Sequence, residues 1–264
     1  MLDLIRSALA QRSLIIQLTR RDMSSSYSGS VVGNAWIIVD PVIYVVLTLV
    51  FFQFAIKGGD TGGVPYVAWV LPQIIVWTFI STVVNSSVNA VKEYSFLLRH
   101  KTFDMRLTTV IKILSGTLVH VLLMVVVLMA LVAFLGVRIG FQTLGLFYYF
   151  LSMVALLLAL GWLLSSLGVF WKDMRNIVGI FLQVQFWVSP IFWEPERFPK
   201  PVAFVMYLNP FYYPIHGYRQ SILLSDFGPH FWIASIYFWA LVLVLLWAAS
   251  KVFFRLSRSF GDAV

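Results

Sequence analysis

Residues 187–224, WVSPIFWEPERFPKPVAFVMYLNPFYYPIHGYRQSILL, combine six prolines with two short apolar runs. Each proline removes a backbone donor and disfavours helix at the residue before it, so no single helix can run through the stretch. The apolar runs, 202–208 and 215–224, are far shorter than the roughly 20 residues of a spanning helix. Their aromatic side chains are typical of the headgroup level of a bilayer. The sequence therefore predicts two short re-entrant helices within 194–226 that dip into or lie on one leaflet.

The composition of the whole chain is that of an integral membrane protein. Of its 264 residues, 60% are hydrophobic and 11% are charged, and the mean hydropathy is +0.88, whereas soluble domains carry about 25% charged residues. The length leaves room for about six spanning helices and for no soluble catalytic domain. The absence of cysteine excludes disulfides, thiolate catalysis and cysteine-based metal sites. We therefore expect an all-α membrane protein with a single transmembrane domain over 1–264.

Hydropathy predicts six spans and their orientation. Before the first span, residues 1–30 mix apolar side chains with arginines in the pattern of an amphipathic helix at the membrane interface. Most of the 19 Lys and Arg residues fall on the side of both termini in this arrangement, so both termini are expected in the cytoplasm. Topology and anionic lipid then account for the net charge of +8, with no nucleic-acid partner. The predicted spans are 34–56, 66–90, 109–136, 142–171, 176–193 and 232–254.

The longest predicted cytoplasmic connection is 92–108, KEYSFLLRHKTFDMRLT. Its charged residues surround apolar ones, Tyr94, Phe96, Leu97 and Leu98, which a solvated loop does not carry unless something covers them. An ordinary basic loop is the alternative, since cytoplasmic loops collect Lys and Arg. We interpret the connection as a short helix offered to a soluble partner.

Several kinds of chemistry are missing from the sequence. It contains neither the G-x-x-x-x-G-K-[ST] motif of an ATP-binding loop nor H-E-x-x-H, so the energy source must be ions or another chain. An ion-coupled carrier is expected to keep ionisable groups in mid-membrane, and no convincing one is found. A membrane-embedded glycosyltransferase would need paired carboxylates near the interface, but Asp22, Asp40 and Asp173 are isolated. The sequence therefore predicts neither an enzyme nor a metal protein.

The predicted spans carry aromatic side chains that could line a channel. Flat rings can stack on the C–H faces of sugars without holding them tightly, which suits a sliding polymer. Lipid-facing aromatic belts are the alternative. The candidate channel aromatics are Trp36, Tyr44, Trp77 and Trp187.

Four stretches together resemble one family: RRDMSSSYSGSVVGNAWIIVDP at 20–41, SLGVFWKDMRNIVGIFLQVQFWVSPIFW at 166–193, LNPFYYPIHGYRQSILL at 208–224 and FFRLSRSFGDAV at 253–264. Their order and spacing are similar to those of the membrane subunit of ABC exporters for lipid-linked cell-surface glycopolymers. These are the O-antigen, capsule and teichoic acid permeases of the type-two ABC exporter superfamily. Lys172 departs from the family's usual arginine, which keeps the charge but changes any bidentate contact.

The resemblance implies a homodimer in a bacterial cytoplasmic (inner) membrane, docked on two separately encoded ATPase subunits. ATP and Mg would be held by those partners, and this chain would hold no cofactor. The connection at 92–108 would couple to the ATPase through Glu93, Tyr94, Phe96, Leu97, Arg99, Lys101 and Arg106. Arg20 and Arg21 would meet the phosphate of the lipid anchor. The outer gate would comprise Pro190, Trp193, Pro210, Tyr212, Tyr218 and Arg219.

The expected function is ATP-driven translocation of a lipid-linked polysaccharide. The segments GYRQSILL and SPIFW resemble those of teichoic acid exporters most closely, and O-antigen permeases share much of both segments. A small-molecule or lipid exporter of the same superfamily, and a passive channel or ion-coupled carrier, remain alternatives because a fold does not fix a substrate.

Overall fold

The computed structural model of the protein describes residues 2–25, 33–54, 65–99, 103–223 and 231–263. These residues form helices joined by short turns, and no strand occurs among them. The helices are α1 (Leu2–Ala10), α2 (Arg12–Ser25), α3 (Trp36–Phe54), α4 (Tyr66–Val88), α5 (Ala90–Glu93), α6 (Leu107–Leu135), α7 (Gly145–Phe170), α8 (Met174–Val188), α9 (Lys200–Leu208), α10 (Tyr212–Leu223), α11 (Phe231–Ser257) and α12 (Phe260–Ala263).

A helix lies in each of the six predicted spans. Four helical segments of the described chain are long and apolar enough to cross a membrane: α4, α6, α7 with the 3₁₀ turn before it, and α11. The all-α membrane architecture is therefore confirmed. The fifth predicted span, 176–193, contains α8, which has 15 residues and is about 22 Å long at 1.5 Å per residue. A count of six spans stays a prediction.

The centre of the bundle is α4, which packs against α3, α6, α7, α8 and α10. Small residues on the neighbouring helices allow the backbones to approach closely, as is usual between membrane helices. A Cβ added at Gly168 of α7 would lie 2.1 Å from the carbonyl oxygen of Val88. One added at Gly161 would lie 2.3 Å from Thr109 of α6. Helix α7 is therefore packed closely against both α4 and α6.

One end of the bundle, called here the basic end, holds α1, α2, α5 and the C-terminal part of α11. The predicted amphipathic segment forms two helices, α1 and α2, which meet at Gln11. Leu4, Ile15 and Leu18 are buried in an apolar cluster, whereas Ile16 is about half exposed. The cluster also contains Tyr94, Leu97, Phe103, Met105, Leu107, Ile111, Trp162, Val169, Phe253 and Phe260.

At the opposite end, the proline-rich stretch forms two short helices, α9 and α10, as the sequence predicts. Asn209, in the turn between them, donates to the side chains of Gln185 (2.8 Å) and Ser189 (3.2 Å) and accepts from the backbone of Phe211 (3.0 Å). The turn is thereby tied to the end of α8. The placement of α9 and α10 within one leaflet stays a prediction.

Candidate functional site

A cavity of about 1200 Å³ extends along α4 from the basic end. Its walls come from α2, α3, α4, α5 and α6, and Arg175 of α8 also lines it. Lining residues run from Asn89, directly after α4 at the basic end, to Ile75 on α4, which is about 21 Å along the helix axis at 1.5 Å per residue. The cavity therefore reaches from the basic end well into the apolar part of the bundle.

A polar stripe on α4 faces this cavity. Thr78, Thr82, Asn85 and Asn89 all line it, and their spacing of four, three and four residues places them on one face of a helix. The side chains of Thr82 and Asn85 are exposed and have no hydrogen-bond partner within the described part of the chain. Hydroxyl and amide groups that face a cavity can exchange hydrogen bonds with a hydrated, uncharged polar solute. The stripe is thus suited to polyhydroxylated cargo.

A second cavity, of about 430 Å³, continues from the first toward α8. Tyr44 and Thr78 line both cavities. Trp77 and Gln183 line the smaller one. The combined surface presents rings beside neutral polar groups.

An ion-pair network joins three elements where the large cavity meets the basic end. The ammonium of Lys112 on α6 contacts the carboxylates of Asp22 on α2 and Glu93 on α5. The hydroxyl of Tyr94 donates to Asp22 (3.1 Å), and burial, followed by the Asp22 carboxylate, raises the pKa of Tyr94. The phenol therefore stays protonated and remains a donor. We call Asp22, Glu93, Tyr94 and Lys112 the α2–α5–α6 network.

The predicted coupling residues divide into an exposed and a buried group. Phe96 has 46% of its surface exposed, while Tyr94 and Leu97 are each 5% exposed and pack in the apolar cluster of the basic end. Glu93 is exposed. Much of the apolar surface of the loop is thus covered by this chain itself, and Phe96 is the large apolar residue of the loop that stays about half exposed.

Two further predicted coupling residues have restricted access. Arg106 is 9% exposed; its Nε lies 3.0 Å from both carboxylate oxygens of Asp104, and its guanidinium lies 4.7 Å from the ring centre of Phe254. The indole of Trp162 donates to its carbonyl oxygen (3.2 Å). Arg106 therefore fixes the start of α6. Lys101 and the side chain of Arg99 lie outside the described residues.

The two arginines predicted to meet a lipid phosphate are exposed on α2. The guanidinium of Arg21 lies 5.6 Å from the ring centre of Phe96, which brings the predicted lipid-phosphate and coupling residues together. Neither Arg20 nor Arg21 lines the large cavity. Arg175, in the first turn of α8, does.

Of the four predicted channel aromatics, Tyr44 and Trp77 line cavities. Trp77 is buried between Phe186 and Phe211, with ring centres at 5.8 and 5.9 Å. Trp36 is half-buried and lines none of these cavities. Trp187 is 56% exposed and stacks on Trp193 at 5.9 Å.

The predicted outer-gate residues form contacts among themselves and with the bundle. Arg219 of α10 is 1% exposed, donates to the carbonyl oxygen of Pro190 and stacks 3.4 Å from the ring centre of Trp69 on α4. Tyr218 is hydrogen-bonded to His120 of α6 (3.0 Å). Tyr212 stacks on His216 at 5.1 Å. Pro210 lies in the turn before α10.

Two functional features went unrecognised in the sequence. The polar stripe on α4 is visible there as Thr78, Thr82, Asn85 and Asn89 at helical spacing within an apolar span, which is an available signal. The α2–α5–α6 network gave none, because Asp22 and Lys112 are 90 residues apart. Among the described residues no group of three or more His, Asp and Glu could hold a metal ion.

Comparison with known proteins gives a consistent picture. The family model described as "ABC-2 type transporter" matches residues 13–223. An O-antigen export system permease protein RfbA of Myxococcus xanthus is 23% identical to this chain over 273 residues, and the alignment covers 100% of both chains. A protein of the same name from Klebsiella pneumoniae is 18% identical over 250 residues, with 94% of both chains covered.

Proposed function

Because this chain belongs to the ABC-2 type transporter family, we propose that it is the transmembrane subunit of an ATP-driven exporter of lipid-linked polysaccharide. The cargo would be an O-antigen, capsule or teichoic acid glycan, carried across the bacterial cytoplasmic membrane. Two copies would assemble with two separate ATPase subunits that bind ATP and Mg, with both termini of each permease in the cytoplasm. The relatives named O-antigen export permeases support the glycan as cargo.

The observation that carries this proposal is the polar stripe of α4 in the large cavity. A glycan is uncharged over most of its surface and rich in hydroxyls, so its passage requires exchangeable hydrogen-bond partners and no strong charge trap. Asn85 and Thr82 supply such partners at the cavity wall. Apolar side chains such as Leu47 and Leu123 line the rest of the cavity, where they can contact the C–H faces of sugar rings.

A second copy of the chain would pack on the exposed apolar faces of α3 and α8, the two helices that line the smaller cavity together with α4. Leu47 and Phe51 on α3 are 62% and 56% exposed, and Ile180 and Val184 on α8 are 65% and 53% exposed. Since α8 is shorter than the hydrocarbon thickness, a partner helix beside it would shield its ends from lipid. The channel would then lie between the two copies, with Tyr44 near its wall.

Coupling to ATP hydrolysis would begin at Phe96 and pass through the α2–α5–α6 network. A movement of the ATPase against Phe96 would displace α5, and Glu93 and Tyr94 would transmit that displacement to Lys112 on α6 and Asp22 on α2. Both of those helices line the large cavity. The same contacts would therefore change the width of the cavity and the position of the interface helix.

The lipid phosphate would be received at the basic end of the cavity. Arg20 and Arg21 are exposed on α2, where they can form charge-assisted hydrogen bonds to phosphate oxygens. Arg175, which lines the cavity, is a third candidate. It would offer the anchor a cationic partner inside the cavity.

The proposal is tested by the ATPase activity of the purified permease–ATPase complex in lipid, with and without lipid-linked glycan. We expect glycan to stimulate hydrolysis in the wild type. Phe96→Asp should weaken ATPase binding about tenfold or more, the loss typical of a central apolar contact residue, and should abolish the stimulation. Phe141→Asp is the matched control, because Phe141 is 87% exposed at the opposite end.

A complex whose hydrolysis ignores glycan but responds to a small lipid would support the exporter of small molecules instead. A permease that neither binds an ATPase nor alters its rate would contradict ATP driving. Glycan-stimulated hydrolysis retained in Phe96→Asp would contradict the assigned coupling surface alone.

A further inference from the structure

A third cavity, of about 570 Å³, lies at the end opposite the basic one, between α9, α10 and the first turns of α11. It shares no lining residue with the large cavity along α4. Its volume falls within the range of about 300–1,000 Å³ that is usual for small-molecule sites. Its ring-bearing walls include Tyr149, Tyr207, Tyr212, Tyr213, Tyr237 and Phe238.

The floor of this cavity is held rigidly. A Cβ at Gly217 would lie 2.1 Å from the ring of Tyr149. The ring of Tyr149 can therefore pack against α10 at this point because Gly217 has no side chain. The hydroxyl of Tyr213 is 2.6 Å from that of Ser235. The hydroxyl of Tyr237 donates to the carbonyl oxygen of Leu208 (2.8 Å). Polar atoms at the base are thus satisfied by protein groups, and the rings keep fixed orientations.

The charge of the lining selects against an anionic ligand. Glu196 is the charged residue among those that form the cavity, all of which are described, and it accepts a hydrogen bond from the hydroxyl of Tyr207. No Lys or Arg lines the cavity to balance it. The charge of Arg219 acts on Tyr212 and His216, but this side chain is buried against Pro190 and Trp69. A phosphate would therefore meet the Glu196 carboxylate without a cation in direct contact, which is unfavourable in a half-enclosed site.

The upper wall offers a flat platform with polar edges. The rings of Tyr212 and His216 are stacked, with centres 5.1 Å apart and planes 16° from parallel, and Tyr207 meets Tyr212 edge to face at 5.1 Å. Rings of this kind combine a large apolar face with a hydrogen-bonding edge. The Glu196 carboxylate and the imidazole edge can exchange hydrogen bonds with hydroxyl groups.

We propose that this cavity binds a neutral saccharide, about one or two sugar units in size, whose C–H face lies against an aromatic ring and whose hydroxyls reach Glu196 and His216. The inference rests on the proposed function, since it places the site where the exported glycan would emerge. The site would hold a segment of the polymer at the end of the bundle opposite the basic end.

The test is saturation-transfer NMR on the permease–ATPase complex in nanodiscs, with methyl glycosides of glucose, galactose, mannose, rhamnose and N-acetylglucosamine as probes. We expect transfer to the ring protons of at least one glycoside. The signal should fall at least fivefold in Tyr212→Ala and in Glu196→Gln, the second of which changes no packing volume. It should persist in Phe204→Ala, the matched control, because Phe204 is 61% exposed on α9 and lies outside the cavity.

Two outcomes would overturn the assignment. The first is that the wild-type complex shows no more transfer to any glycoside than the Tyr212→Ala variant does. The second appears with octyl glucoside as an added probe: transfer confined to its octyl chain would identify a lipid site.

The failure of this site and of the exporter proposal are distinguishable, because glycoside binding needs neither ATP nor a transport substrate. If no glycoside binds but glycan still stimulates ATP hydrolysis, the saccharide site alone is refuted. If a glycoside binds but glycan does not change the rate of hydrolysis, the exporter proposal is refuted and the saccharide site stands.

Discussion

Replacing Lys112 with methionine removes the cation that connects α2, α5 and α6. The side chains of Lys112 and Asp22 are 6% and 14% exposed, respectively. Removal of one partner from a buried ion pair costs about 3–5 kcal/mol in the free energy of unfolding. The Tyr94 hydroxyl still donates to Asp22 in the variant, so we expect the lower value, about 3 kcal/mol. Glu93 is 49% exposed, and Glu93→Gln should therefore cost less than about 1 kcal/mol.

The assay is thermal unfolding of the permease–ATPase complex in nanodiscs, followed by intrinsic fluorescence. At about 2–4 °C per kcal/mol for a chain of this size, Lys112→Met should lower Tm by about 6–12 °C and Glu93→Gln by less than about 4 °C. The double variant Asp22→Asn, Lys112→Met should recover at least half of the loss, since no buried carboxylate then remains at the pair.

The reasoning would be refuted if Lys112→Met were no more destabilising than Glu93→Gln. It would also be refuted if the Tm loss of the double variant equalled the sum of the losses of the two single variants, because the effects of independent sites are additive.

Three further changes probe the packing, the cavity wall and the gate. Gly168→Ala forces a methyl group against the backbone of α4 and should lower the free energy of unfolding by about 1–3 kcal/mol. Gly179→Ala, whose new methyl group meets nothing within 4 Å, should instead stabilise α8 by about 0.5–1 kcal/mol. Equal Tm values for the two variants would contradict the close approach of α7 to α4. Asn85→Leu should leave Tm within about 2 °C but reduce glycan-stimulated hydrolysis about fivefold, the value of one hydrogen bond; an unchanged rate would remove Asn85 from the cargo path. Arg219→Lys loses the planar stack on Trp69 and should lower stability by about 1–2 kcal/mol; an unchanged Tm would show that the stack contributes nothing.

The helical architecture was predictable from the sequence because membrane burial imposes long apolar runs and closely spaced prolines limit the length of a helix. The break of 187–224 into two short helices follows from the positions of Pro199, Pro201 and Pro210, which limit each helix without reference to any tertiary contact. The break between α1 and α2 at Gln11 was missed, since no proline or glycine marks it in LDLIRSALAQRSLIIQ.

The candidate site was only partly predictable, because side-chain burial depends on long-range packing. The apolar residues of 92–108 were expected to need a partner, yet Tyr94 and Leu97 belong to a buried cluster with residues of α2, α6 and α11. Both α2 and α11 are distant from them in sequence. Phe96 alone of the three keeps a large exposed surface. Likewise, aromatic composition could not separate Trp77, which lines a cavity, from Trp187, which faces outward.

The most direct test of the central claim is glycan transport in proteoliposomes that contain the permease, its ATPase and a lipid-linked polysaccharide on the ATPase side. A sugar-specific lectin added on the other side reports translocation. The account predicts lectin binding that requires ATP and disappears with Phe96→Asp while persisting with Phe141→Asp. Lectin binding without ATP would identify a passive channel, and no binding under any condition would contradict polysaccharide export by this protein.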